Sequence, residues 1–223
     1  MADFACKICG LTRPEDVDLC HDLKVDITGF IFVTGSPRAV SPPVAAAMPR
    51  GVALRAGVFA GMDVSGIKAV ARQAKLDLIQ LHGGEDEAFC RSLGPERIIK
   101  VLWPERLNPG ELHRELERFA PVCACFLLDA GTSGGGSGKR LALSGLAGIV
   151  PPRPWFLAGG LGPVNLEPSL AALADFICAP IGLDLNSGLE SSPGVKNHDL
   201  VREALFILST CCGHRPPTLE KRA

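Results

Sequence analysis

Short apolar runs alternate with amphipathic stretches along almost the whole 223-residue chain. The runs predict strands at 4–9, 26–33, 52–59, 77–82, 97–103, 122–129, 154–158 and 174–178. The stretches between them predict helices near 14–23, 41–48, 63–74, 85–93, 109–118, 141–149, 164–173 and 195–209. Several strands are apolar at both parities, Ile27 to Val33 most clearly, as in a parallel sheet covered on both faces. Lys68, Arg72 and Lys75 punctuate the third helix as a solvated face does. Strand signals alternating with helix signals around the full chain predict one α/β domain, a single (β/α)8 TIM barrel. An open doubly wound sheet is the structural alternative.

No interdomain linker interrupts this alternation, so the barrel is expected to span 1–208, with 209–223 as a polar, proline-bearing flexible tail. The stretch 131–138 (GTSGGGSG) directly follows Asp129. A glycine-rich linker is one reading of it; its place at a strand end favours a mobile active-site loop.

Composition narrows the function classes. Hydrophobic residues are 47% of the chain, enough for a substantial core. The net charge of −1 offers no electrostatic reason for nucleic acid or an anionic membrane as partner. Aromatic residues are 5% and tyrosine is absent, which leaves little surface for stacking bases. No window approaches the roughly 20 apolar residues of a membrane span, and no signal-peptide stretch precedes Lys7. A cytoplasmic protein is expected, its nine cysteines mostly reduced and their odd number precluding complete pairing.

Two strand ends carry chemistry. The run Phe4 to Ile8 delivers Cys9 to a turn at Gly10, and Thr12 with Pro14-Glu15-Asp16 reads as a helix start. Phe126-Leu127-Leu128 likewise ends in Asp129. Barrel enzymes assemble active sites from such C-terminal strand ends, so Cys9 and Asp129 form a candidate base and acid. Lys7, on the same strand face as Cys9, is expected to help lower the thiol pKa. Packing is the plain reading of a buried cysteine, and turn capping that of an aspartate at a strand end. Cys6 and Cys9 match C-x-x-C, but a strand points them to opposite faces, against a shared metal or disulfide. Cys123 and Cys125 share strand parity, yet no second pair has zinc-site spacing. Neither metal nor cofactor is expected.

Loops after the last strands supply candidate anion sites. Leu157-Ala158-Gly159-Gly160-Leu161 follows the seventh strand, and Asp184-Leu185-Asn186-Ser187-Gly188 is placed after the eighth. Glycines let backbone N–H groups approach a phosphate, which explains how a nearly neutral chain holds a phosphorylated molecule. Arg38, after the second strand in a proline-restricted loop, is placed to pair with a carboxylate. His82, ending the fourth strand, is a candidate binding residue or a packed histidine.

Together these segments resemble the phosphoribosylanthranilate isomerase family of tryptophan biosynthesis. The matching residues are Lys7-Ile8-Cys9-Gly10-Leu11-Thr12, Ser36-Pro37-Arg38, Gln80-Leu81-His82-Gly83, Leu127-Leu128-Asp129, Leu157-Ala158-Gly159-Gly160-Leu161 and Asn186-Ser187-Gly188-Leu189-Glu190, in family order over roughly residues 5–205. The chain departs from the family at Arg140-Leu141-Ala142-Leu143 and at Asn186, where serine is common. The resemblance implies an Amadori rearrangement of N-(5-phosphoribosyl)anthranilate, with Asp129 as general acid and Cys9 thiolate as general base. It further implies Arg38 on the anthranilate carboxylate, and Gly159, Gly160, Asn186 and Ser187 on the phosphate. The assembly implied is a monomer or homodimer, with a small phosphorylated substrate and no nucleic acid or membrane. Two other readings stand beside it. The related isomerase of histidine biosynthesis is expected to have Asp in place of Cys9, and a non-catalytic barrel would bind phosphate ligands without turnover.

Overall fold

The structure, a computed structural model, describes residues 4–129 and 143–211. Eight parallel strands close into a barrel in sequence order: β1 (Ala5–Ile8), β2 (Ile27–Ile31), β3 (Leu54–Phe59), β4 (Leu78–Leu81), β5 (Ile98–Leu102), β6 (Cys125–Asp129), β7 (Trp155–Ala158) and β8 (Gly182–Leu185). Closure runs through β1 and β8, with Ala5 opposite Gly182 and Lys7 opposite Asp184. The expected (β/α)8 barrel is therefore the observed fold.

Helices α1 (Pro14–Asp22), α2 (Pro42–Ala47), α3 (Val64–Gln73), α4 (Glu87–Leu93), α5 (Pro109–Phe119), α6 (Pro163–Leu173) and α7 (His198–Cys211) surround it. Their starts follow local chemistry. Asn108 and Glu111 form a capping box around Pro109, and Asp63 and Asp86 accept backbone N–H bonds at the starts of α3 and α4. In α5 the buried Leu112, Leu116 and Phe119 recur at helical spacing and face the sheet.

Strand alternation separates two apolar layers. Ala5, Ile27, Ile99, Cys125, Leu127 and Phe156 fill the barrel interior. Cys6, Ile8, Phe30, Phe59, Phe126 and Leu183 belong to the larger layer between strands and helices. Cys6 and Cys9 accordingly face opposite sides, Cys9 packing with Ile31 and Val58 at the barrel mouth. Cys123 and Cys125 do not share a face: Cys123, between the 3-10 turn Ala120–Val122 and β6, joins the outer layer, and Cys125 points inside.

Three element expectations need correction. The apolar segment 174–178 is no strand: Ile177 is 74% exposed and Phe176 stacks on Trp155 with ring centroids 6.4 Å apart. The eighth strand is Gly182–Leu185, whose outward Leu183 and Leu185 alternate with Gly182 and Asp184. An apolar count passes over such a strand because its two inward residues are a glycine and an aspartate, which carry no apolar signal. In the predicted helix 141–149, the described part is a 3-10 turn at Leu143–Gly145 followed by further turn, so among the described residues no α-helix joins β6 to β7. Before α7 lies a short antiparallel hairpin, β9 (Glu190–Ser192) and β10 (Val195–Lys196), and its second strand occupies the first residues of the helix expected at 195–209. Helix α7 then runs to Cys211. The stretch 131–138 and the rest of the expected tail lie outside the described residues. No described helix is long and apolar enough to cross a membrane.

Candidate active site

All eight predicted site residues meet in one cavity. Cys9, Arg38, His82, Asp129, Gly159, Gly160, Asn186 and Ser187 line a space of about 300 Å³ at the C-terminal mouth of the barrel. A larger space, about 440 Å³, lies outside the barrel beside Lys100, Trp103 and α5, and contains none of them. Strand ends from around the barrel converge on the smaller one, the end at which barrel enzymes assemble their active sites.

Cys9 is set by backbone and by space. Its N–H bonds the Leu185 carbonyl at 2.9 Å, extending the β1–β8 ladder by one residue. Gly10 then turns at φ +74°, where a side chain is strained. Gly29 on β2 leaves room for the thiol: a Cβ there would lie 2.8 Å from Cys9 Sγ. The sequence expectation for its acidity is corrected. Burial raises the thiol pKa above its ordinary value, and the Lys7 ammonium pulls it down only in part.

Below the thiol lies an ionic level that sequence reasoning did not assemble. Cross-strand register aligns Lys7 with Asp184, Asp184 with Ala158, and Ala158 with Asp129, so these residues face inward at one height. Lys7 Nζ donates to Asp184 Oδ1 at 2.8 Å, with Lys7 fully buried. Burial disfavours the ammonium, but attraction to Asp184 prevails and raises the Lys7 pKa. Asp129 is itself buried at the end of β6. The alternation of β8 is the signal that identifies Asp184, and misplacing that strand hid it.

The opposite rim is made of two glycine-bearing loops. Gly159 and Gly160 turn at φ +121° and +65°, directly before α6. Asn165 clamps this turn, accepting from Gly162 N at 2.9 Å and donating to the Gly160 carbonyl at 2.9 Å. Ser187 opens a 3-10 turn after β8. Among the described residues, the Gly160 and Ser187 N–H groups find no backbone acceptor. The two loops touch backbone to backbone: a Cβ on Gly162 would meet the Gly188 carbonyl oxygen at 2.5 Å. Converging donors beside a helix start are the elements of a phosphate cradle.

Polar side chains complete the wall. Gln80 Oε1 and His82 Nδ1 are buried and make no hydrogen bond among the described residues. The His82 ring packs edge-on against Trp103 with centroids 5.0 Å apart, and burial lowers its pKa. Gln80 was not among the expected site residues, although it shares strand parity with His82. Arg38 reaches the cavity with part of its guanidinium engaged: Nε and Nη2 donate to Glu190 at 2.6–3.0 Å.

Comparison with known proteins agrees with this geometry. The family profile described as N-(5'-phosphoribosyl)anthranilate (PRA) isomerase matches residues 6–206. The N-(5'-phosphoribosyl)anthranilate isomerase of Desulfovibrio desulfuricans is 45% identical over 210 residues, covering 94% of this chain and 97% of that one. The phosphoribosyl anthranilate isomerase structure from Thermotoga maritima superposes with a TM-score of 0.79 at 30% identity, covering 93% of this chain and 99% of that one. A phosphoribosyl anthranilate isomerase solved with reduced 1-(o-carboxyphenylamino)-1-deoxyribulose 5-phosphate superposes at 0.74 and 28% identity, with the same coverage. The chain belongs to the N-(5'-phosphoribosyl)anthranilate isomerase family and is an isomerase of tryptophan biosynthesis.

Proposed function

We propose that this chain, acting in the cytoplasm as a monomer or homodimer, converts N-(5-phosphoribosyl)anthranilate to 1-(2-carboxyphenylamino)-1-deoxyribulose 5-phosphate, with Asp129 as general acid and Cys9 as general base. The observation that carries the reading is the convergence of these two groups on one cavity that also holds an anion cradle and an arginine. Asp129 protonates the furanose ring oxygen as the C1–O bond breaks, leaving an iminium between C1 and the anthranilate nitrogen. Cys9 thiolate takes the C2 proton, and that bonding pair forms the C1–C2 double bond of an enolamine. Tautomerisation to the ketone, with a proton delivered to C1, completes an isomerisation with no net change in oxidation state.

The surroundings suit each role. A buried thiol resists ionisation, and the Lys7 ammonium offsets that resistance at the moment the thiolate is required. Gly159, Gly160, Asn186 and Ser187 hold the phosphate through backbone donors and the α6 N-terminus. Arg38 holds the anthranilate carboxylate. His82, with Gln80 beside it, supplies polar contacts along the wall.

The test is turnover of freshly made N-(5-phosphoribosyl)anthranilate, followed by loss of anthranilate fluorescence, in Cys9→Ala and Asp129→Asn. Each is expected to lose about 10²–10⁴-fold in kcat with the fold intact by circular dichroism. Near-normal turnover in either variant overturns the role assigned to that residue.

A further inference from the structure

Arg38 does not stand alone at the rim. Its Nε donates to Glu190 Oε1 at 2.9 Å and to Oε2 at 3.0 Å, and its Nη2 donates to Oε2 at 2.6 Å. Only the side edge of the guanidinium is thereby used. Nη1 makes no hydrogen bond among the described residues, so the end edge, formed by Nη1 and the second N–H of Nη2, is uncommitted. That edge is a fork that fits one planar carboxylate.

Glu190 is shared. Its Oε1 also accepts from Lys196 Nζ at 2.9 Å and from Gly194 N at 3.2 Å. Lys196 Nζ in turn donates to the Asn186 carbonyl at 3.0 Å and to Asn186 Oδ1 at 2.9 Å. The β9–β10 hairpin thus ties the loop after β2 to the loop after β8, the carboxylate side of the cavity to the phosphate side. The knot is dry: Glu190 and Lys196 are 4% and 1% exposed, Arg38 14%. It closes over Gly10, where a Cβ would lie 2.6 Å from Asn186 Oδ1 and 3.0 Å from Arg38 Cδ. Two cations against one carboxylate leave the knot with a net positive charge facing a substrate that carries two anionic groups.

We propose that Glu190 is the positioning residue for Arg38: by gripping the Nε/Nη2 edge, it presents the opposite edge of the guanidinium to the substrate carboxylate. This rests on the carboxylate role given to Arg38 above. An arginine side chain has many rotamers, and fixing one before binding removes an ordering cost that otherwise weakens affinity. The two neighbouring cations hold the Glu190 carboxyl below the usual range against the opposing effect of burial, so the grip is ionic wherever the protein is folded near neutral pH. Lys196, bound to both Glu190 and Asn186, acts on the phosphate loop instead.

Two stable probes separate these roles: reduced 1-(o-carboxyphenylamino)-1-deoxyribulose 5-phosphate and its phenylamino counterpart without the carboxylate. Glu190→Gln is expected to weaken the carboxylated probe about tenfold and leave the other within twofold. In turnover it should raise KM and leave kcat nearly unchanged. Lys196→Met is expected to weaken both probes alike. If Glu190→Gln also weakens both alike, Glu190 serves general architecture and the proposal fails. Arg38→Met distinguishes the two layers of argument. If it selectively weakens the carboxylated probe and Glu190→Gln does not, the Arg38 reading stands and the positioning role falls. If it does not discriminate between probes, the carboxylate reading falls and takes this proposal with it. Should Glu190→Gln fail to fold, Glu190→Asp, which keeps the charge but withdraws it by one methylene, carries the same comparison.

Discussion

Lys7 and Asp184 meet across the β1–β8 seam, 177 positions apart in the chain, with Nζ and Oδ1 at 2.8 Å. The pair lies where the barrel closes and directly beneath Cys9. A buried ion pair of this kind contributes less through its attraction than it costs when one member is removed, because the survivor is then an uncompensated charge in the interior. Asp184→Asn is therefore expected to lower the unfolding free energy by roughly 3–5 kcal/mol in urea titration. The double variant Lys7→Met, Asp184→Leu removes both charges and is expected to recover most of that loss. If the double variant is as unstable as the single one, isolation of the Lys7 charge is not the cause.

The same lysine sets the pH dependence expected of the reaction. With Cys9 as the proposed base, kcat/KM rises with pH as the thiol ionises, and burial places that rise above the ordinary thiol range. Lys7 is the main group that restrains the shift, with Lys196 adding a smaller effect. In Lys7→Met the thiolate loses its cation and Asp184 becomes a bare neighbouring charge, and both changes raise the thiol pKa further. The ascending limb of kcat/KM is expected to move to higher pH in this variant, with the thiolate ultraviolet absorbance moving in parallel. An unmoved limb would show that the titrating group in the profile is not Cys9.

Asp16, at the start of α1, ties the last elements of the fold to the first. It accepts Arg13 Nε at 2.9 Å, His198 Nε2 at 2.9 Å and the Lys196 N–H at 3.3 Å. Burial raises its carboxyl pKa, but the Arg13 and His198 bonds prevail and lower it below the ordinary value. A carboxylate depressed in the folded state contributes stability that is fully present above its unfolded pKa of about 3.9 and is lost as pH falls through the lower folded value. Asp16→Asn is thus expected to be clearly less stable than the parent at neutral pH, with the difference shrinking below pH about 4. A difference that stays constant through acid would assign the loss to packing and not to the ionised carboxylate.

Much of the barrel was legible because its signals are local. A strand of β1 or β6 needs only a short apolar run before a turn, and α5 only its Asn108 cap and the spacing of Leu112, Leu116 and Phe119. The same logic failed at β8, whose inward Gly182 and Asp184 break the apolar run, and misled at 174–178, where Phe176 stacks on Trp155 of β7 from outside the sheet. Cys9 and Asp129 were found because each ends a strand. Gly159, Gly160, Asn186 and Ser187 were found because glycine-bearing loops follow the last strands.

The periodicity, the turn residues and the strand-end groups belong to the sequence by itself. They determined the fold class, the family and the side chains that reach the barrel mouth, since each depends on neighbours a few residues apart. Partnership was decided only in three dimensions. Lys7 finds Asp184, and Arg38 finds Glu190 at 152 positions' remove, because barrel closure brings the two ends of the chain to one rim. Burial there makes every unpaired charge costly, so the tertiary structure dictates which groups pair, which edge of Arg38 is engaged by Glu190, and in which direction the Cys9 thiol departs from its ordinary acidity.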